Sequence, residues 1–409
     1  MPIPVRPAPG PERYAARWTL AVCAAAALLE GFDNQSMGVA APAVFREIRV
    51  SAAQAGFLFS AATFGLLLGA AVGGRVADRF GRRATLNVSL LLFGVCSLLT
   101  ANSVGLTALV VARFLTGLGC GGAMPNFIAL ATESVARHRR LATVTLVMAA
   151  LPFGGGLAGL MSLGGSLGWG WRSIFVVGGI APILLAIAAL AIGRAPPDPQ
   201  PAAARPALEA VGTVLWGMGR ARTTACLWTG FLCTQLVLFL MVNWLPSLVI
   251  GLGFSRPQAS IASITFNFAG SLGAAFLGRL HAGARRRLWV AVTYGGIALS
   301  LLLLVAVAAA RQAFGAAVLA CAVSGLFIIG AQLILFALAP LFYASASRGT
   351  GVGAAVAVGR LGSVIGPLYA GALLSAGGAT GAVLLGIIPF VGIAGTAAFL
   401  LAGRPQSDA

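Results

Sequence analysis

Long apolar segments alternate with short polar ones along almost the whole chain. About 20 residues of α-helix cross the hydrocarbon core of a bilayer, and the apolar segments are close to that length or longer. The pattern therefore predicts twelve membrane-spanning helices, at residues 18–41, 53–75, 84–101, 105–128, 141–164, 171–193, 224–250, 258–279, 288–310, 313–337, 349–374 and 379–402.

The twelve spans divide into two similar sets of six. Arg140 and Arg348 each follow an Ala-Leu-Ala triplet by the same spacing, and they lie 208 residues apart, about half the chain. Duplicated six-helix halves are typical of secondary transporters that bind substrate near the midplane. We expect an all-α integral membrane protein with two pseudo-symmetric six-helix bundles. Its predicted parts are a tail 1–17, a bundle 18–193, a linker 194–222, a bundle 223–402 and a tail 403–409.

Composition supports a membrane protein and excludes a soluble globular one. Hydrophobic residues make up 59% and charged residues 9%, with a mean hydropathy of +0.96, whereas about a quarter of a soluble domain is charged. The net charge of +18 does not indicate nucleic-acid binding, because the arginines occur in short clusters between apolar runs. Twenty of the 27 basic residues fall on one side of the predicted topology and five on the other. The positive-inside rule then predicts that both termini lie in the cytoplasm.

Other classes of function find no support in the residues. The six cysteines lie inside apolar segments without ligand spacing, so we expect neither disulfides nor a metal. A phosphate-binding loop of the Walker type needs a lysine, and the chain has none. His138 and His281 lie in basic loops and are interpreted as topology residues. We expect no cofactor, no enzymatic activity and no nucleic-acid partner.

Two acids stand inside the first apolar span. Of nine acidic residues in the chain, Glu30 and Asp33 are the two expected at membrane depth. Their spacing puts them on one helix face, where like charges at low dielectric favour protonation of one carboxyl. Intramembrane acids are functional candidates by default, so both are candidate proton carriers. The alternative is that both lie near the interface and stay ionised in water.

The loop between the second and third spans reads Gly74-Arg-Val-Ala-Asp78-Arg-Phe-Gly-Arg-Arg83. It resembles the signature loop G-x-x-x-D-R-x-G-R-R of the major facilitator superfamily. The resemblance implies a cytoplasmic latch between the two halves; the alternative is a plain solvated turn. The equivalent loop in the second half has Ala282 instead of the acid, which predicts a weaker latch there. The candidate latch residues are Gly74, Asp78, Arg79, Gly81, Arg82, Arg83, Glu133, Arg140 and Arg348.

Arg113 begins a second motif, Arg113-Phe-Leu-Thr-Gly-Leu-Gly119, which resembles the fourth-helix R-x-x-x-G-x-G motif of proton-linked members. At 1.5 Å per residue, Glu30 lies roughly 18 Å above the inner end of the first span and Arg113 roughly 12 Å below the outer end of the fourth. These heights coincide across a core of ~30 Å. Arg113 is therefore the predicted partner of Glu30 or Asp33, either for proton coupling or as a static ion pair.

Arg360 lies near the middle of the eleventh span, and the second half has no acid within a span. Its partner is then expected from the first half or from an anionic substrate, for which a guanidinium offers a bidentate clamp. Snorkelling or capping of backbone carbonyls is the alternative. Together with Glu30-Gly-Phe-Asp33, the sequence Gly359-Arg360-Leu-Gly362 resembles the aromatic acid:proton symporter family, especially its hydroxyphenylpropionate-transporting branch.

That resemblance implies proton-coupled uptake of an aromatic carboxylate, such as 3-(3-hydroxyphenyl)propionate, by alternating access. The implied partners are a small organic anion, a proton and the lipid bilayer, and the protein is expected to be a monomer. Alternatives are transport of a non-aromatic acid, a major facilitator exporter and a non-transporting sensor. The candidate substrate-binding residues are Arg360, Gln35, Asn126, Asn243, Trp244, Asn267, Gln332 and Tyr343.

Overall fold

The computed structural model describes residues 11–136, 139–164, 170–191, 211–217, 220–280, 285–309, 314–343 and 348–404. Throughout these ranges the regular structure is helical, with no strand. The helices are α1 (Pro11–Ile48), α2 (Ala52–Phe80), α3 (Arg82–Ala101), α4 (Leu106–Glu133), α5 (Arg140–Leu163), α6 (Arg172–Ala191), α7 (Val211–Trp216), α8 (Ala221–Gly251), α9 (Arg256–Leu280), α10 (Arg286–Ala309), α11 (Phe314–Leu338), α12 (Arg348–Ser375), α13 (Thr380–Gly386) and α14 (Ile388–Ala402). A short 3₁₀ helix, Ala339–Phe342, follows α11.

Helix length and composition confirm the predicted fold class. Eleven helical segments within the described residues are long and apolar enough to cross a membrane, with α13 and α14 counted as one. Helix α1, which has 38 residues, is not among these eleven, because its apolar run is interrupted between Glu30 and Gln35. Helices α1–α6 form the first bundle and α8–α14 the second.

Several helices extend past the predicted spans. α1 begins at Pro11 and ends at Ile48, where residues 18–41 were predicted, and α7 lies in the predicted linker. Hydropathy detects the part of a helix inside hydrocarbon, whereas backbone hydrogen bonding continues the helix into the polar interface. The last predicted span is divided at Ile387, next to the proline at the start of α14.

The tight turn between α2 and α3 is built on glycine. Gly81 has φ of 90°, a conformation that costs glycine little and other residues more, and its N–H donates to Ala77 O at 2.8 Å. This turn lies at the end of the molecule where α1 begins. We call that end the basic end and the other the opposite end.

Glycines set the distance between α1 and α5. A Cβ added at Gly31 would lie 1.8 Å from Leu151 O, and one added at Gly154 would lie 1.9 Å from Leu28 O. The two backbones are therefore in direct contact, as small residues allow in membrane bundles. This contact fixes the rotation of α1 about its axis and so the direction in which Glu30 and Asp33 point.

The two bundles meet near the opposite end. Ser60 Oγ in α2 donates to Val364 O in α12 at 2.7 Å, and the hydroxyls of Ser162 in α5 and Ser260 in α9 are 2.5 Å apart. A cavity of about 370 Å³ lies at the same end between α1, α5, α6, α8 and α9. Because helices of both bundles line it, this cavity lies on the interface between the halves.

Candidate functional site

Asp33 and Arg113 form a bidentate ion pair inside the first bundle. Arg113 Nη1 donates to Asp33 Oδ1 at 2.7 Å and Nη2 donates to Oδ2 at 3.0 Å. The two side chains are only 3% and 4% exposed, and Arg113 Cζ lies 5.6 Å from the centroid of the Phe175 ring. Of the two acids in α1, Asp33 is thus the one whose charge Arg113 compensates.

Glu30 has a different environment although it lies one turn away on the same helix. Its residue exposure is 2%, and Oε2 is buried without a hydrogen-bond partner. The carboxyl lies near enough to Arg360 and Asp33 to interact with both electrostatically. Asp33 forms a salt bridge with Arg113, whereas no oxygen of Glu30 lies within 4 Å of a nitrogen of Arg360. Glu30 is therefore a buried acid without a dedicated partner.

Arg360 projects from α12 towards the first bundle. It is 7% exposed, and its Nη2 donates to Met124 Sδ, in α4, at 3.1 Å. A thioether is a weak acceptor, whereas a guanidinium carries five N–H donors. No carboxylate in the described part of the chain forms a salt bridge with Arg360. Arg360 is therefore a buried cation at the interface between the bundles, and its guanidinium can bind an anion.

A chain of amides connects the bundles beside this region. Gln35 Nε2 donates to Val242 O in α8 at 2.9 Å, and Asn267 Nδ2 in α9 donates to Gln35 Oε1 at 3.0 Å. Asn126 and Asn243 instead donate to carbonyls of their own helices, each at 2.8 Å. Gln35 and Asn267 therefore join α1 to the second bundle, and the other two amides are satisfied locally.

Two candidate substrate residues lie apart from Arg113 and Glu30. Trp244 packs edge-on against Phe59, with ring centroids 5.2 Å apart, and its Nε1 donates to Pro367 O at 3.1 Å. Tyr343 is fully buried near the basic end, where its hydroxyl lies 3.1 Å from Thr224 Oγ1. The polar groups of both side chains are therefore already satisfied within the second bundle.

The predicted latch residues surround the α2–α3 turn at the basic end. Arg82 in α3 forms an ion pair with Glu133 in α4, and Arg83 Nη2 donates to Thr19 Oγ1 in α1 at 3.3 Å. Gly81 makes the turn itself. Asp78, Arg79 and Arg140 are exposed. Gly74 is partly buried, with open space where a Cβ would lie. The side chain of Arg348 and residues His138, His281 and Ala282 lie outside the described parts of the structure.

Two residues near the α12 turn that carries Arg360 were not predicted from the sequence. Met124 contacts Arg360. It could not be recognised from the sequence, because an apolar side chain inside a predicted span does not indicate a functional role. Gln235 is 3% exposed, and its Oε1 is buried without a partner. Its signal was available, because it is an amide within the predicted span 224–250. The described residues contain no cluster of three or more His, Cys, Asp or Glu side chains that could hold a metal ion.

Comparison with known families decides what this arrangement belongs to. The Major Facilitator Superfamily matches residues 23–367, which include α2 to α11, most of α1 and α12, the α2–α3 loop and Arg360. The chain belongs to the Major Facilitator Superfamily. The resemblance inferred from the two motifs is thereby confirmed.

Relatives within the Major Facilitator Superfamily have similar length and are named as transporters. The chain is 38% identical to the 3-(3-hydroxy-phenyl)propionate transporter of Escherichia coli, over 94% of each chain. It is 30% identical to the 4-hydroxybenzoate transporter PcaK of Pseudomonas putida, covering 90% of this chain and 88% of that one. A gallate transporter of P. putida is 31% identical and covers 88% of this chain and 85% of its own. The expectation of a multi-pass membrane transporter, not an enzyme, agrees with these relatives.

Solved structures of the superfamily share the fold. The crystal structure of the D-xylose–proton symporter has a TM-score of 0.77 at 18% identity, covering 95% of this chain and 98% of that one. A bacterial homolog of the human lysosomal transporter Spinster, inward-facing and unoccupied, also has a TM-score of 0.77 at 18% identity, covering 97% and 98%. At this identity the likeness is one of architecture alone.

Proposed function

We propose that the protein takes up an aromatic carboxylate, such as 3-(3-hydroxyphenyl)propionate, together with a proton. The observation that carries the proposal is Arg360, a buried guanidinium at the bundle interface whose described acceptor is the thioether of Met124. The relatives named as transporters of 3-(3-hydroxy-phenyl)propionate, 4-hydroxybenzoate and gallate support an aromatic acid as the substrate.

Arg360 would bind the substrate carboxylate. A guanidinium is planar, stays charged and matches a carboxylate with two parallel hydrogen bonds. Arg360 and the substrate carboxylate would both be dehydrated between the bundles. The Arg360 N–H that donates to the Met124 sulfur in the empty protein would then donate to a carboxylate oxygen, which is a stronger acceptor. Because Arg360 belongs to the second bundle and Met124 to the first, a bound carboxylate would also lie between the two moving halves.

The balance of charge explains why a proton would accompany the substrate. Asp33 and Arg113 neutralise each other through their bidentate pair, which leaves Glu30 and Arg360 as the other buried charges on these helices. Glu30 and Arg360 interact electrostatically, so in the empty protein an ionised Glu30 would balance the charge of Arg360. A substrate carboxylate bound to Arg360 would replace Glu30 as the anion that compensates this arginine. Glu30 would then become an uncompensated buried anion, which is costly at membrane depth.

Protonation of Glu30 restores neutrality in the loaded state. The empty state, with Glu30 ionised, and the loaded state, with Glu30 protonated and Arg360 paired to substrate, would both carry no net buried charge. States that hold only the proton or only the substrate would each carry one uncompensated buried charge. We assign proton transfer to Glu30, because both carboxylate oxygens of Asp33 already accept hydrogen bonds from Arg113, whereas Glu30 forms no salt bridge among the described residues. The two bundles would then exchange inward and outward access most readily in the two neutral states.

The proposal includes an orientation and a location. Twenty arginines on the basic side against five on the other favour the basic end, and both termini, in the cytoplasm. The membrane would be the bacterial inner membrane, and a monomer would contain the complete transport path. The latch role of the α2–α3 loop, with the Arg82–Glu133 pair, is part of the same proposal.

Uptake into proteoliposomes tests the proposal. Labelled 3-(3-hydroxyphenyl)propionate should accumulate under an imposed inward proton gradient, and benzoate should compete better than shikimate. Arg360→Gln should abolish uptake, whereas Arg172→Gln, which changes an exposed arginine at the start of α6, should retain it. Competition by shikimate alone would indicate a non-aromatic acid, and export without uptake would indicate an exporter.

A further inference from the structure

A second group of buried polar atoms, on α8 and α11 of the second bundle, has no hydrogen-bond partner among the described residues. Gln235 in α8 is 3% exposed and Gln332 in α11 is 7% exposed. Gln235 Oε1, Gln332 Oε1 and Gln332 Nε2 are all buried without a hydrogen bond. Buried polar groups are normally satisfied, and leaving them unpaired costs free energy. Three unpaired atoms on two side chains therefore indicate a place for a polar ligand.

The register of α8 and α11 brings the two glutamines together. These helices are antiparallel, and Phe231 in α8 packs edge-on against Phe336 in α11 with ring centroids 5.3 Å apart. Gln235 follows Phe231 by four residues and Gln332 precedes Phe336 by four, so each lies one turn farther towards the opposite end. The amides thus face the same seam between the helices, directly beyond a pair of aromatic rings.

The same seam borders the helix turn that carries Arg360. A Cβ added at Gly359 would lie 3.1 Å from Phe231 Cβ and 3.4 Å from Gln235 Cγ. The absence of a side chain at Gly359 therefore lets α8 approach α12 at the residue before Arg360. Arg360 thus belongs to a helix that packs directly against the α8 turn carrying Phe231 and Gln235. In turn, α8 packs against the Phe336 turn of α11.

We infer that Gln235 and Gln332 form a hydroxyl-binding subsite for the ring of an aromatic carboxylate held by Arg360. A phenol hydroxyl donates one hydrogen bond and accepts others. It would donate to Gln235 Oε1 and accept from Gln332 Nε2, while the faces and edges of Phe231 and Phe336 contact the ring. The inference rests on the proposed function and deepens it, because it assigns a specificity for hydroxylated over unsubstituted rings.

Competitive uptake of two compounds tests this subsite. 3-(3-Hydroxyphenyl)propionate and 3-phenylpropionate differ in the hydroxyl alone, so their kcat/KM ratio in the same vesicles does not depend on the amount of folded protein. The wild type should prefer the hydroxylated compound. Gln235→Leu and Gln332→Leu should each reduce that preference about tenfold, the order expected for one hydrogen bond, with uptake of 3-phenylpropionate retained.

A neighbouring substitution provides the control. Thr234 lies next to Gln235, but its hydroxyl is 2.9 Å from that of Tyr294, on α10, so Thr234→Val should leave the preference unchanged. A wild type without preference, or an unchanged preference in both glutamine variants, would overturn the subsite while leaving the proposed function intact. Failure of the wild type to take up either compound would overturn the proposed function, and the subsite with it.

Discussion

Removing one member of the Asp33–Arg113 pair should destabilise the protein more than removing both. The perturbations are Asp33→Asn, Arg113→Met and the double variant. Each single change leaves an ionised partner buried at 3% or 4% side-chain exposure, which costs about 3–5 kcal/mol when a buried pair is broken. The double variant leaves no buried charge at this pair. Its loss of unfolding free energy should therefore be about 3 kcal/mol smaller than the summed losses of the two single variants.

The unfolding temperature of detergent-purified protein measures this coupling. For a bundle of this size, about 3 kcal/mol corresponds to roughly 5–10 °C. The double variant should therefore unfold at a temperature near that of the better single variant, and clearly above the value expected from additive losses. Transport is unsuitable as the readout, because these variants also change the buried charges next to Glu30.

The exposed Arg82–Glu133 pair is the internal control. Its side chains are 42% and 48% exposed, and surface pairs contribute about 1 kcal/mol or less. The cycle of Arg82→Gln and Glu133→Gln should show little coupling. If the decreases in unfolding temperature of Asp33→Asn and Arg113→Met simply add in the double variant, as expected for this control, the two buried charges do not stabilise each other and the reasoning is contradicted.

Three further predictions follow from other contacts. Gly31→Ala would place a Cβ 1.8 Å from a carbonyl oxygen of α5 and should abolish a monodisperse peak in size-exclusion chromatography, whereas Gly295→Ala, with open space around it, should retain the peak. Cysteines replacing Ser162 and Ser260, whose hydroxyls are 2.5 Å apart, should form a disulfide that blocks uptake until a reductant is added; uptake by the crosslinked protein would argue against separation of the bundles at this end. Hydrogen bonds from Trp171 and Arg172 hold the pKa of the Glu47 carboxyl below its ordinary value of 4.5, so the stabilisation from these bonds is present above that pH and is lost as the pH falls towards the lower folded-state pKa. The unfolding temperature of Glu47→Gln should therefore be below that of the wild type at pH 7 and converge with it at acidic pH, and a gap that widens on acidification would contradict this sign.

Hydropathy predicted the spans because bilayer thickness constrains helix length. It could not predict that α1 extends from Pro11 to Ile48, since helical hydrogen bonding outside hydrocarbon leaves no apolar signature. The division at Ile387 was also missed. Local backbone geometry next to a proline, and not composition over a span, determines such a break.

Depth along a helix could be estimated from sequence, but rotation about its axis could not. Counting residues brought Arg113 to the level of both Glu30 and Asp33, and only the contact of Gly31 with α5 selects Asp33 as the partner. Gln235 was missed for a related reason. Its importance comes from the register between α8 and α11, which depends on side-chain packing between residues about 100 apart in sequence.

The most direct test of the account is the behaviour of Glu30→Gln in proteoliposomes. Without a titratable group at position 30, the variant should still exchange internal for external 3-(3-hydroxyphenyl)propionate in a counterflow assay. It should fail to accumulate the compound under a proton gradient that drives the wild type. Accumulation by Glu30→Gln to the wild-type level would contradict the claim that Glu30 and Arg360 couple the proton to the substrate.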